Sequence, residues 1–135
     1  MDLKDTLEIS AMGMKAQGVR LRVVAENLAN AGTAAPTPDQ EPYRRKVVTF
    51  KNVLDRATGA EVVKIGGIGV DKSDFQTKYD PGNPSADPNG YVRLSNVNTL
   101  VEVMDMREAQ NAYQANLGVI EISKSMMLKT IELLK

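Results

Sequence analysis

All six prolines lie between Pro36 and Pro88, so both ends of this 135-residue chain lack the residue that most reliably breaks a helix. Five of the six Phe and Tyr residues fall in the same middle stretch, from Ala34 to Tyr91. The ends repeat large apolar residues every seven positions: Leu7, Met14, Leu21 and Leu28 near the start, and Met106, Tyr113, Ile120, Met127 and Leu134 near the finish. Such a repeat marks the seam of helices that wrap around partners. The expected fold is mainly α with a small β insert. Long N- and C-terminal helices pair as a coiled coil, with a central antiparallel β-hairpin region and a turn-rich loop between them. The expected organisation is an N-terminal assembly helix over 1–33, a linker, hairpin region and loop over 34–95, and a C-terminal assembly helix over 96–135.

The first helix starts at Asp2 or Asp5, where Asp5 and Glu8 have capping-box spacing, and it ends at Gly32. It is roughly 42 Å long. Beside its bulky ridge runs a strip of small residues, Ala11, Gly18, Ala25 and Gly32, where a neighbouring backbone can come close. A second apolar line, Met12, Ala16, Val19 and Val23, gives the helix more than one side to bury. The last helix opens with Thr99 and Glu102 at capping-box spacing and meets no breaker before Lys135, roughly 54 Å if continuous. Its own second line is Ala112, Val119, Met126 and Leu133. Two helices with several apolar sides each ask for neighbours, and the arms are expected to gain order from them.

Between the helices, Ala34 to Pro42 reads as an extended linker. Tyr43 to Phe50 reads as a strand, and Glu61 to Ile65 and Ile68 to Phe75 as two more that turn at Gly66-Gly67. Tyr79 to Gly90 is a dense run of turn residues, expected to be an ordered loop.

The chemistry-bearing residues are few. There is no Cys, Trp or His, which removes disulfides, thiolate nucleophiles and imidazole catalysis. Gly66-Gly67-Ile68-Gly69 lacks the third glycine, the helix and the Lys-Ser/Thr pair of a phosphate loop. Ser85, Asp87, Asn89 and Gly90 open with calcium-loop spacing, but Asn96 stands where the bidentate carboxylate belongs. Nothing local joins Asp71, Asp74 and Asp80 into an acid/base pair. We therefore expect no enzyme, no metal and no cofactor. Seventeen basic residues balance seventeen acidic ones, four against four before Thr33, eight against eight to Gly90 and five against five beyond, so no nucleic-acid surface is implied. No window reaches the length of a membrane span, and the acidic opening lacks the basic start of a cleaved signal peptide.

Amides within apolar helices can set register, which singles out Asn27, Asn30, Asn111 and Asn116. The expected assembly interface comprises Leu7, Met14, Gly18, Leu21, Ala25, Asn27, Leu28 and Asn30 on the first helix. On the last it comprises Met106, Tyr113, Asn116, Ile120, Met127 and Leu134.

The stretch from Ala16 to Thr33, ending Glu26-Asn27-Leu28-Ala29-Asn30-Ala31-Gly32-Thr33, resembles the signature of bacterial flagellar rod and hook proteins. Tyr79-Asp80-Pro81-Gly82-Asn83-Pro84, Gly90-Tyr91-Val92, Asn96-Val97-Asn98, Tyr113-Gln114-Ala115-Asn116 and Lys124 to Thr130 extend the likeness to the basal-body rod family, in particular its proximal-rod members. Two positions depart: Ser95 stands where the family commonly has proline, and Asn111 where a basic residue is frequent. The resemblance implies a structural subunit of the flagellar basal-body rod, with terminal helices forming an inner tube and the β insert outside it. It implies as partners other rod proteins and copies of the chain itself, inner-membrane ring and adaptor components, and the flagellar export apparatus. It also implies a place in the periplasm-spanning rod, reached without a cleaved signal peptide. The alternatives are another flagellar axial or adaptor protein, or a cytoplasmic coiled-coil adaptor.

Overall fold

The computed structural model describes residues 2–135; Met1, the first residue of the opening read above, lies outside them. The element order is α1 (Leu3–Ala29), β1 (Lys46–Leu54), β2 (Glu61–Val70), β3 (Gln76–Tyr79), β4 (Tyr91–Leu94) and α2 (Thr99–Leu133). The mainly helical class with a small β insert is as expected, and each long helix is unbroken. The backbone N–H of Asp2 donates to Asp5 Oδ2 at 3.2 Å, one half of a capping box placed at the earlier of the two expected starts. At the far end of α1 the Glu26 carbonyl accepts twice from Asn30, from its backbone N–H at 3.2 Å and from Nδ2 at 2.9 Å.

The start of α2 corrects the sequence reading. Asn98, not Thr99, is the cap: its Oδ1 accepts from the N–H of Leu100 at 3.0 Å and of Val101 at 3.4 Å. Glu102 therefore does not cap anything, and its side chain is fully buried.

The β layout also differs. The first strand begins at Lys46 and not at Tyr43, because Tyr43, Arg44 and Arg45 are held by side-chain partners outside the ladder. The strand β2 runs straight through Gly66-Gly67, where a hairpin turn was expected. The chain reverses instead between Asp55 and Ala60, where Asp55 Oδ1 accepts from the Ala57 N–H at 2.8 Å and the Asp55 N–H donates to the Ala60 carbonyl at 2.8 Å. An Asp that bonds its own backbone two residues on closes a turn more directly than two adjacent glycines, which adopt extended geometry equally well. The two strands form one two-stranded sheet and β3 with β4 another. The second is antiparallel, pairing Gln76 with Leu94 through to Tyr79 with Tyr91.

The loop between β3 and β4 is the ordered turn run that the sequence implies. Asn83 Oδ1 accepts from the Ser85 N–H, and Asp87 Oδ1 from those of Asn89 and Tyr91, each at 2.9 Å. The calcium-like spacing thus serves the backbone. Gly90 has φ +86°, and a Cβ there would sit 2.8 Å from the Tyr79 ring, which meets Tyr91 edge-on at 5.3 Å. The linker is tied down too: Arg93 donates to the carbonyls of Pro38 and Gln40, and Ala35 N–H to the Arg93 carbonyl. Ser95 donates its N–H to the Thr33 carbonyl at 3.1 Å, a bond proline lacks the hydrogen to make.

The chain divides into two compact units. The first comprises residues up to Leu21, Val48–Gly67 and from Arg107 on; the second comprises Arg22–Val47 and Ile68–Met106. The first buries Ala16, Val62 and Ala109 with Ser10 and Ser123; the second buries Val23, Val24, Ala35, Val92 and Val97 around Asn27, Ser95, Asn96 and Glu102. Apart from Pro42, the buried apolar side chains among the described residues are all alanine or valine, with no Leu, Ile, Met or Phe.

Candidate assembly interface

In the second unit a polar clamp ties the end of α1 and the start of α2 to β1. Asn27, 1 % exposed, uses both its donors and both its acceptor positions. Its Nδ2 donates to the Lys46 carbonyl at 2.9 Å and to Glu102 Oε2 at 3.1 Å. Its Oδ1 accepts from the Lys46 N–H at 2.9 Å and from the Tyr43 hydroxyl at 2.8 Å. A second amide works beside it: Asn96 Oδ1 accepts from the Arg45 N–H at 2.7 Å, while Nδ2 donates to the carbonyls of Asp71 and Ser73.

Arg45 supplies the charge that makes a buried Glu102 tolerable. It bonds Glu102 through Nε, Asp105 at 3.2 Å and Asp71 at 3.6 Å. Burial works against the Arg45 cation, but its bond to the Glu102 carboxylate and the fields of Glu102, Asp105 and Asp71 outweigh it, and its pKa lies above the ordinary value. Hydrogen bonds from the Ser73 backbone and hydroxyl, with Arg45 behind them, hold the Asp71 carboxyl below its usual range against some burial. Burial pushes the Tyr43 hydroxyl up. Every one of these bonds joins one part of the second unit to another, so the network ties the end of α1, the start of α2 and the loop at Asp71–Ser73 together.

In the first unit α1 and α2 meet antiparallel, through Arg20 with Glu108 at 3.2 Å and through Gly13 with Asn116. Met12, Lys15, Ala16 and Val19 of α1 line a shallow groove of about 330 Å³ with Val63, Lys64 and Ile65 of β2. This is the second apolar line of α1, now facing β2.

The residues expected at the assembly interface lie on several sides of the helices. Leu7, Met14, Leu21, Leu28, Met106, Tyr113 and Ile120 are half-buried; Met127 is 40 % and Leu134 82 % exposed. Ala25 is exposed, and Gly18 has open space where a Cβ would stand. Asn30 donates to the carbonyl of Glu26 on its own helix, and Asn116 donates to the Ala112 carbonyl at 3.0 Å. Of this set Asn27 and Asn116 take part in the contacts between α1 and α2 just described. The side of α2 that the chain itself covers is marked by Glu102, Ala109 and Ser123, all buried, with half-buried Asn116 completing the seven-residue spacing. Sequence reasoning missed Glu102, Arg45 and Asn96 as structural centres. The one signal was a Glu four residues into a helix that carries a charge among apolar neighbours, and the capping-box spacing claimed it first.

What α2 leaves uncovered is large and apolar: Leu100, Met104, Ile122, Met126, Leu128, Ile131 and Leu133 are each more than half exposed. From Lys124 to Lys135 every residue is exposed. These side chains form a long apolar surface interrupted by exposed charges such as Glu121, Lys124, Lys129 and Glu132.

The family model for the C-terminal region of flagellar basal-body rod FlgEFG proteins matches residues 89–133. The chain is 51 % identical to the flagellar basal-body rod protein FlgC of Agrobacterium fabrum, over 95 % of its own length and 92 % of the relative's. It is 41 % identical to FlgC of Salmonella typhimurium over 98 % of both, and 37 % identical to that of Borreliella burgdorferi over 100 % and 99 %. Buried polar clamp, exposed apolar helix and full-length identity agree, and the chain belongs to the FlgC family of flagellar basal-body rod proteins, structural components and not enzymes.

Proposed function

We propose that the chain polymerises through its terminal helices, residues 1–33 and 96–135, into the proximal part of the flagellar rod, with residues 34–95 as a stiffening insert. The two helices pair within one chain as an antiparallel coiled coil and offer their remaining apolar stripes to copies of the chain and to other rod proteins. Ring, adaptor and export components of the basal body complete its partners, and it reaches the periplasm-spanning rod without a cleaved signal peptide. Torque then passes along helices held by many small contacts whose strengths add.

The observation that carries this reading is the inverted burial. Among the described residues the chain buries alanine, valine and a charged clamp, while no leucine, isoleucine or methionine is fully buried and Leu100, Met104, Ile122, Met126, Leu128, Ile131, Leu133 and Leu134 are more than half exposed. No helix among the described residues is long and apolar enough to cross a membrane, so protein neighbours are the natural cover. The test is to replace Met127 and Leu134 by Asp and to quantify the chain in purified basal bodies. Loss of the chain is expected; incorporation at the wild-type level would overturn the reading.

A further inference from the structure

Within the first unit, the helix seam carries a contact that only one axial alignment allows. The Asn116 amide lies face-on to Gly13: a Cβ on Gly13 would stand 2.9 Å from Nδ2, 3.1 Å from Oδ1 and 3.2 Å from Cγ. The amide is held there by its own helix, since Nδ2 donates to the Ala112 carbonyl one turn back. Glycine at position 13 is therefore a seat for the amide.

The neighbouring seam positions offer no second seat. Ser10 is buried and Gln17, one turn along from Gly13, carries a buried Oε1 without a hydrogen-bond partner. Sliding α2 by one turn would bring Asn116 to the level of Ile9 or Gln17, which carry side chains where Gly13 has none. The other glycine of α1, Gly18, has nothing within 4 Å of its Cβ position and so lies off the seam. An apolar residue in place of Asn116 would pack at more than one alignment, whereas the amide packs at one.

We propose that Asn116 seated on Gly13 fixes the axial register of α2 against α1 in this unit, and thereby decides which apolar residues of α2 are presented outward. This concerns contacts inside one chain, so it stands or falls separately from the assembly reading.

The test uses the full-length chain, which has no native cysteine. Lys15→Cys and Lys124→Cys, both at exposed positions, take nitroxide labels whose separation is read by pulsed electron resonance. The parent should give one narrow distance. Asn116→Leu should broaden it or add a second population displaced by up to about 5 Å, one helical turn, and Gly13→Ala should displace it. The exchange Gly13→Asn with Asn116→Gly seats the amide from the opposite helix and should restore a single distance. Helical circular dichroism reports folding, and if Asn116→Leu loses helix then Asn116→Ala carries the same expectation. An unshifted single distance in the folded position-116 variant, or a split distance in the exchanged pair, overturns the proposal.

Discussion

Asn27 and Glu102, 75 residues apart in sequence, meet through a 3.1 Å hydrogen bond, and neither leaves more than 1 % of its surface exposed. The bond ties the asparagine of the Asn-Leu-Ala-Asn signature to the first turn of the last helix. With Arg45 on the opposite oxygen of Glu102, it makes a charged group the centre of a packed unit.

Replacing Asn27 by alanine removes four hydrogen bonds and leaves the Lys46 amide and one Glu102 oxygen without a partner. Buried groups so orphaned cost about 1–3 kcal/mol each. Asn27→Ala should lower the urea midpoint by an amount equivalent to about 3 kcal/mol without a change in slope. An unchanged midpoint would show that the clamp is ornamental.

Acid should loosen the second unit through Asp71. Its folded pKa lies below the ordinary 3.8, so the unfolded chain binds the proton more readily. The stabilisation is complete above about pH 4 and is lost as pH falls through the folded value. Asp71→Asn should flatten the decline of stability below pH 4 in acid titrations followed by circular dichroism. If both proteins lose stability in parallel, Asp71 is not the source.

Gly90→Ala meets two obstacles, a positive φ and a Cβ 2.8 Å from the Tyr79 ring. Left-handed geometry costs a non-glycine residue about 1–2 kcal/mol, and relief of the contact requires Tyr79 to move from the Tyr91 edge. A loss of about 2 kcal/mol is expected, with altered Tyr91 ring shifts by nuclear magnetic resonance as the local sign.

Gly18→Leu should separate folding from assembly. Open space surrounds Gly18 in the chain, and replacing a mid-helix glycine by leucine strengthens a helix by up to about 1 kcal/mol. The variant should melt no lower than the parent yet fail to restore swimming to cells that lack the parent chain. Normal motility would mean that no neighbour approaches this side of α1.

Hydrogen exchange on the dilute chain should divide α2. Amides near Glu102 and Ala109 lie behind buried side chains, whereas every residue from Lys124 onward is exposed. Strong protection before that point and weak protection after it is expected. Uniform protection to Leu133 would show that the last turns need no partner.

Much of the outline is local in origin and so legible in sequence. Asp2 opens α1 as expected because a cap acts on its own helix end, whereas α1 closes at Ala29, three residues before Gly32, whose φ of +78° turns the chain. The run from Asp80 to Gly90 makes its turns with its own side chains. The hairpin was misplaced because Gly66-Gly67 has turn composition, while Asp55 bonds its own backbone in a stretch with no proline and no paired glycine. Resemblance to the rod family was carried by residues such as Asn27 and Asn96, whose partners the sequence does not name.

Sequence alone determined that both ends are long helices, that each carries more apolar stripes than one chain needs, and that no imidazole or thiol chemistry is available. Only the tertiary structure decided which stripe faces inward. On α2 it is Glu102, Ala109, Asn116 and Ser123, small or hydrogen-bonded residues, with Met106, Tyr113 and Ile120 half-buried. Spacing cannot make that choice, because two stripes of one helix share the same period. The choice follows from distance: helices that come close enough to rest an asparagine on a glycine leave no room for large side chains between them, and those side chains stay outside for a neighbour to cover.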